Sequence, residues 1–215
     1  MQITFLLFDE ITALDLVGPY EVLARLPGAS VRFVGQRMGR VVSDGGLGMH
    51  VDATLDEVRA TDLLLVPGGF GARKLQSDER MLAWLRAIDA TTQLTTSVCT
   101  GSLLLGAAGL LRGKRATTHW AQFESLAAHG ATPVSERYVQ DGKYRTAAGV
   151  SAGIDLGLAL ALELHGKAVA EAIQLGIEYD PAPPLDAGNA QRVDPALRER
   201  VYKFAHRRDA ELTAR

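Results

Sequence analysis

Leu94-Thr-Thr-Ser-Val98 runs directly into Cys99, and Thr100-Gly-Ser-Leu-Leu-Leu-Gly-Ala-Ala108 follows with helical character. This stretch decides the fold, because it predicts a buried strand that turns at a thiol into a helix. An open α/β sheet presents a reactive side chain at such a turn. The first amides of the helix are unpaired there and the helix dipole favours negative charge. Both effects predict a thiol shifted toward the thiolate, its reactive form. The alternative is a buried cysteine that fills the core as a small hydrophobe.

Working outward, Ile3-Thr-Phe-Leu-Leu-Phe8 reads as a first strand, apolar on both faces as a buried parallel strand is. Leu14 to Leu26 carries apolar residues at helical spacing. Pro19 is comfortable only in a first turn, so the helix is expected from about Gly18, with Asp15 in the lead-in. Val31-Arg-Phe-Val34 is a second strand, and Val42 to His50 a polar, glycine-rich excursion. Asp62-Leu-Leu-Leu-Val66 is a buried strand stopped by Pro67-Gly68-Gly69-Phe70-Gly71, and an amphipathic helix over Asp78–Ala87 leads to the Cys99 strand. Downstream, Ala116–Thr118 reads as a short strand and Trp120–Ala128 as a helix. Arg137–Gln140 and Tyr144–Thr146 flank Asp141-Gly142, a hairpin turn signal. Helices over Ser151–Leu164, Lys167–Tyr179 and Pro195–Phe204 complete the chain, the last two separated by irregular Pro181–Gly188. Alternating strands and helices predict a mostly parallel sheet with helices on both faces.

Composition narrows the class. The chain has 215 residues, 23 basic against 25 acidic side chains, and a net charge of -2, which gives no general surface for nucleic acid or anionic membrane. One cysteine forms no internal disulfide. The N-terminus lacks a basic region ahead of an apolar core, and no apolar run reaches membrane-spanning length. These features predict a cytoplasmic protein. No His or Cys pair has metal-ligand spacing, and Gly68-Gly-Phe-Gly71 is not a dinucleotide fingerprint, so neither metal nor cofactor is expected.

The loops ending at Asp15, Gly68-Gly69 and Cys99 each follow an apolar strand, and such loops converge on one crevice. Cys99 is the candidate nucleophile, with Thr100 and Gly101 offering amides at the helix start. The Thr100 hydroxyl orients substrate or water in one reading and caps the helix in the other. Gly68-Gly69 either just ends a strand or places a backbone donor pair close to the thiol. Asp15, set between Leu14 and Leu16, is expected to have a raised pKa and to pass a proton to substrate; its alternative is a helix N-cap. His119 is either a base for Cys99 or a pocket-lining group.

These stretches resemble the DJ-1/PfpI superfamily, and more narrowly its bacterial isonitrile hydratases. Phe8-Asp-Glu-Ile-Thr-Ala-Leu-Asp-Leu-Val-Gly-Pro-Tyr-Glu21, Leu65-Val-Pro-Gly-Gly-Phe-Gly71 and Thr96-Ser-Val-Cys-Thr-Gly-Ser102 carry the likeness, with Ala116-Thr-Thr-His-Trp120 and Glu178-Tyr-Asp-Pro-Ala-Pro-Pro184. The resemblance implies a flavodoxin-like three-layer sandwich, akin to class I glutamine amidotransferases. It spans residues 1–190 as one domain, with 191–215 a C-terminal helix on or extending from it. It also implies a homodimer, and a site in which Cys99, Asp15 and Thr100 act on a small-molecule isonitrile. Gly68, Gly69, Phe70, Gly101 and His119 would line the pocket or oxyanion site. An aspartate where DJ-1 itself has glutamate agrees with the hydratase branch. Glyoxalase-like action on small aldehydes, or a redox-responsive or chaperone-like role, are the alternatives this resemblance leaves open.

Overall fold

A computed structural model describes residues 1–213, and the side chains of its last helix as far as Arg207. The chain begins with β1 (Gln2–Leu6), α1 (Ala13–Leu23), β2 (Ser30–Gly35), β3 (Gly39–Val42), β4 (Gly48–Val51) and β5 (Ala53–Thr54). It continues through β6 (Leu63–Val66), α2 (Gly71–Leu75), α3 (Glu79–Asp89), β7 (Leu94–Val98) and α4 (Gly101–Ala107). Next come β8 (Arg115–Ala116), a 3-10 turn over Trp120–Gln122, α5 (Phe123–Ala128), β9 (Thr132–Pro133), β10 (Tyr138–Asp141) and β11 (Tyr144–Ala147). Three helices end the chain: α6 (Ala152–His165), α7 (Lys167–Gly176) and α8 (Pro195–Thr213). The expected C-terminal unit, 191–215, therefore has its last two positions outside the described residues.

The main sheet has the order β10-β11-β7-β6-β1-β2-β5, parallel throughout except for the β10 edge. Helices α1, α6 and α7 pack together as one layer, and α2, α3 and α5 gather around α4 as the other. The predicted three-layer α/β architecture is what the chain adopts. Every residue of β6 is buried, as its unbroken Leu-Leu-Leu-Val run requires of a central parallel strand. Strand β7 is also wholly buried, yet it carries Thr95, Thr96 and Ser97. Thr95 donates to Asp89 Oδ1 at 2.6 Å and Thr96 to the Leu64 carbonyl at 2.9 Å, so two of the three hydroxyls are satisfied. The Ser97 hydroxyl has no partner.

Several expected boundaries are corrected: β8 covers Arg115–Ala116 rather than Ala116–Thr118, α7 ends at Gly176 rather than Tyr179, and α8 runs on to Thr213 rather than ending at Phe204. Helix α1 starts at Ala13 rather than near Gly18, so Asp15 lies in its first turn and Pro19 in its interior. Proline removes a helical hydrogen bond there, but packing overrides that cost. The α6 glycines let the two helices close: a Cβ at Gly153 would lie 2.9 Å from Pro19 Cδ, and one at Gly157 would lie 3.0 Å from Val22 Cβ. The Trp120–Ala128 helix is likewise divided into a 3-10 turn and α5. The excursion over 42–50 comprises the turn (43–47) and most of the second strand of an antiparallel β3–β4 hairpin.

Candidate active site

Strand β1 pairs with β2 on one side and β6 on the other, so the chain reverses its direction of sheet growth there. Crevices beyond the carboxyl ends of strands open at such switch points. Asp15 follows β1, Gly68 follows β6 and Cys99 follows β7, and all three meet at that end of the sheet.

Cys99 forms the turn between β7 and α4 with φ of +55°, a left-handed conformation that costs a non-glycine residue about 1–3 kcal/mol. The turn is held from several directions. Its N–H donates to the carbonyls of Ala147 (3.1 Å) and Ala148 (2.9 Å) at the end of β11. Its carbonyl accepts from the hydroxyls of Ser102 and Thr118, each at 3.1 Å. The sulfur takes N–H groups of Val150 and Thr100 and faces the Asp15 carboxyl. None of the β11–α6 contacts is legible from side-chain chemistry, because Ala147, Ala148 and Val150 act through their backbone.

Asp15 has no exposure to solvent. Its Oδ2 accepts the Gly68 N–H at 2.9 Å, while Oδ1 has no hydrogen-bond partner. Burial pushes its pKa up to about 7; the Gly68 N–H and the Cys99 thiol pull it down, and Asp44 adds a small upward push. The carboxyl does not cap α1: the N-cap is Thr12, whose hydroxyl instead donates to Asp44 at 2.7 Å.

The thiol departs from expectation. Burial, and then the neighbouring Asp15 charge, hold its pKa well above the usual value, outweighing the N–H groups of Val150 and Thr100. A seven-residue helix start does not offset full desolvation beside a carboxylate. Resting Cys99 is therefore a thiol, and the pair titrates as a unit.

The glycine loop serves both partners. Besides the Gly68 bond to Asp15, the Gly69 N–H donates to Thr100 Oγ1 at 3.0 Å, and that hydroxyl lies 3.3 Å from the Gly69 carbonyl. Both amides thus fix side chains instead of pointing at the sulfur as a free donor pair. A Cβ at Gly68 would sit 2.5 Å from Thr100 N and Oγ1 and 2.9 Å from Asp15 Oδ2, which is why glycine stands there. At Gly101 a Cβ would fall 2.0 Å from the Val66 carbonyl, so α4 presses directly on the end of β6. Phe70, half-buried, is the N-cap of α2. His119 is half-buried at the 3-10 turn, where its Nδ1 accepts the Ala121 N–H at 3.3 Å. Among the described residues no cluster of three or more His, Cys, Asp or Glu side chains is arranged to hold a metal ion. No helix among them is long and apolar enough to cross a membrane.

Comparisons with known proteins give the chain's family and fold. Isonitrile hydratase from Pseudomonas putida is 46% identical over 205 residues, 95% of this chain and 90% of that protein. The crystal structure of a ThiJ/PfpI family protein from Pseudomonas syringae superposes with a TM-score of 0.94 at 39% identity, covering 99% of this chain and 89% of that one. Drosophila melanogaster DJ-1beta shares the fold, with a TM-score of 0.76 at 21% identity over 84% of this chain and 98% of that one. The profile of the DJ-1/PfpI family matches residues 1–163, and this chain belongs to that family.

Proposed function

We propose that this protein is an isonitrile hydratase that converts R–N≡C and water to the formamide R–NH–CHO, using Cys99, Asp15 and Thr100. The observation that carries the reading is a buried carboxyl coupled to a buried thiol at a left-handed turn. The relative from Pseudomonas putida supports the substrate class.

Isonitrile carbon is both nucleophilic and electrophilic, so it needs a proton and a sulfur together. In the one-proton state of the Cys99–Asp15 pair, sulfur attacks the carbon while the shared proton passes through Asp15 to the same carbon. The product is the thioimidate R–N=CH–S–Cys99. Water then adds, its oxygen to carbon and its proton to nitrogen, with Asp15 relaying the proton and the fixed Thr100 hydroxyl orienting the water. Collapse of R–NH–CH(OH)–S breaks the C–S bond, releases the formamide, and returns the hydroxyl proton to the pair. Carbon ends protonated and oxygenated with no net electron transfer, so the chemistry calls for no redox group.

Gly68, Gly69 and Gly101 hold these groups close, and Phe70 and His119 contribute to the pocket. Residues 1–190 form the catalytic domain in this reading, with 191–215 an accessory C-terminal segment. We place the protein in the cytoplasm as a homodimer. Leu47 in the β3–β4 turn and Leu185 in the proline-rich segment are 52% and 74% exposed, apolar groups suited to a partner copy. Formamide release from a simple isonitrile, followed chromatographically, tests the reading. Wild type should turn over and Cys99→Ser should lose at least about a thousandfold; a folded wild type that makes no formamide refutes it.

A further inference from the structure

A threonine at a helix N-cap ordinarily accepts an N–H of the first helical turn. Thr12, the N-cap of α1, makes no such bond. Its hydroxyl donates instead to Asp44 Oδ2 at 2.7 Å, in the turn of the β3–β4 hairpin. The same two segments meet again where the Asp44 N–H donates to the Ile11 carbonyl at 3.0 Å. Helix α1 thus forgoes a local cap and is attached to the hairpin at two points.

The backbone of Thr12 serves the site itself. Its N–H donates to the Gly68 carbonyl and its carbonyl accepts the Asp15 N–H, each at 3.0 Å. The Gly68 N–H returns to Asp15 Oδ2 at 2.9 Å, which closes a ring of three hydrogen bonds through Thr12, Gly68 and Asp15. Alongside, Ile11 bridges Gly69. Glu10, with φ of +61°, is held between the Val42 carbonyl and the Gly71 N–H. Among the described residues, two titratable groups act on the buried Asp15 carboxyl. Cys99, from the β7–α4 turn, pulls its pKa down, and Asp44, from the hairpin, pushes it up.

We infer that Thr12 and Asp44 are positioning residues for the reaction, their hydrogen bond letting the hairpin hold the Asp15 carboxyl at the Gly68 amide and against Cys99. The inference rests on the hydratase reading. A carboxyl relays a proton only where it is held at the reacting atoms, so a slack Thr12 costs turnover and leaves substrate binding in place.

Steady-state kinetics with a simple isonitrile test it. Thr12→Val keeps the shape and removes the donor, and Asp44→Ala removes the acceptor from the hairpin side. Each should lower kcat about tenfold or more with KM moved less than about twofold, and Thr12→Ser, which keeps the hydroxyl, should recover most of the loss. Asp44→Asn keeps an acceptor oxygen but loses the charge, so it should retain more of kcat than Asp44→Ala and shift the pH limb to lower pH. Arg37→Ala breaks an exposed ion pair to Asp9 that also fastens the hairpin, and should change neither kcat nor the limb. Full kcat in Thr12→Val or Asp44→Ala, or an equal loss in Arg37→Ala, overturns the inference. Alkylation of Cys99 by iodoacetamide gives an arm free of turnover, since the chain has no other cysteine. The pH midpoint of its rate should fall in Asp44→Asn. An unmoved midpoint overturns the inference even where isonitriles are hydrated. The expected fall, in a protein whose wild type hydrates no isonitrile, keeps the link from Asp44 to the site and overturns the hydratase reading.

Discussion

At the scale of single residues, the account turns on one proton shared by Asp15 and Cys99. Below about pH 7 both groups are protonated; above it the active one-proton state dominates until the thiol ionises at far higher pH. The rate of formamide formation should therefore rise with pH through about 7, and Asp15→Asn should lose most activity and this limb. A full-rate Asp15→Asn enzyme would remove the carboxyl from the mechanism. Stability should run the other way. A carboxyl raised from 3.8 to about 7 on folding stabilises most below its unfolded value, and that contribution is lost as pH rises through 7. Urea melts of wild type should thus weaken from pH 4 to pH 8 relative to Asp15→Asn, by something of the order of 4 kcal/mol. Neighbouring Gly68→Ala should cut activity at least about a hundredfold, because its Cβ would meet Thr100 and Asp15 at once. The raised Asp15 pKa was legible from its setting between Leu14 and Leu16. The raised thiol was not, since the sequence displays amides at a helix start but not the depth of burial that outweighs them.

At the scale of elements, hydrophobic patterning located β1 and β6 because their burial is encoded in their own apolar side chains. The start of α1 was obscured by Pro19, whose cost is met by packing against a helix more than a hundred residues later. Gly157→Val should expose that dependence: its side chain would drive into Val22 and lower stability by about 1–3 kcal/mol in urea melts. Strand β7 makes a prediction of opposite sign. Ser97 carries a buried hydroxyl with no partner, so Ser97→Ala should raise stability by about 1 kcal/mol. A loss on this substitution would mean that the hydroxyl finds a partner in solution.

At the scale of the whole molecule, the order of strands brings residues 15, 68 and 99 together at one end of the sheet, which no local window of sequence contains. Alternation of strands and helices made the parallel sheet readable, whereas the bond between Thr12 and Asp44 depends on tertiary docking alone. The proposed homodimer should sediment near twice 23.0 kDa at micromolar concentration. A 23.0 kDa species that stays fully active at every concentration would refute it. Because Cys99 is the chain's only cysteine, covalent catalysis has an unambiguous signature. Rapid acid quench during turnover, followed by intact-protein and peptide mass spectrometry, should give a protein heavier by one isonitrile, with the increment on the Cys99 peptide and absent in Cys99→Ser. Formamide formation at an undiminished rate in Cys99→Ser, with no such increment in wild type, would contradict the account.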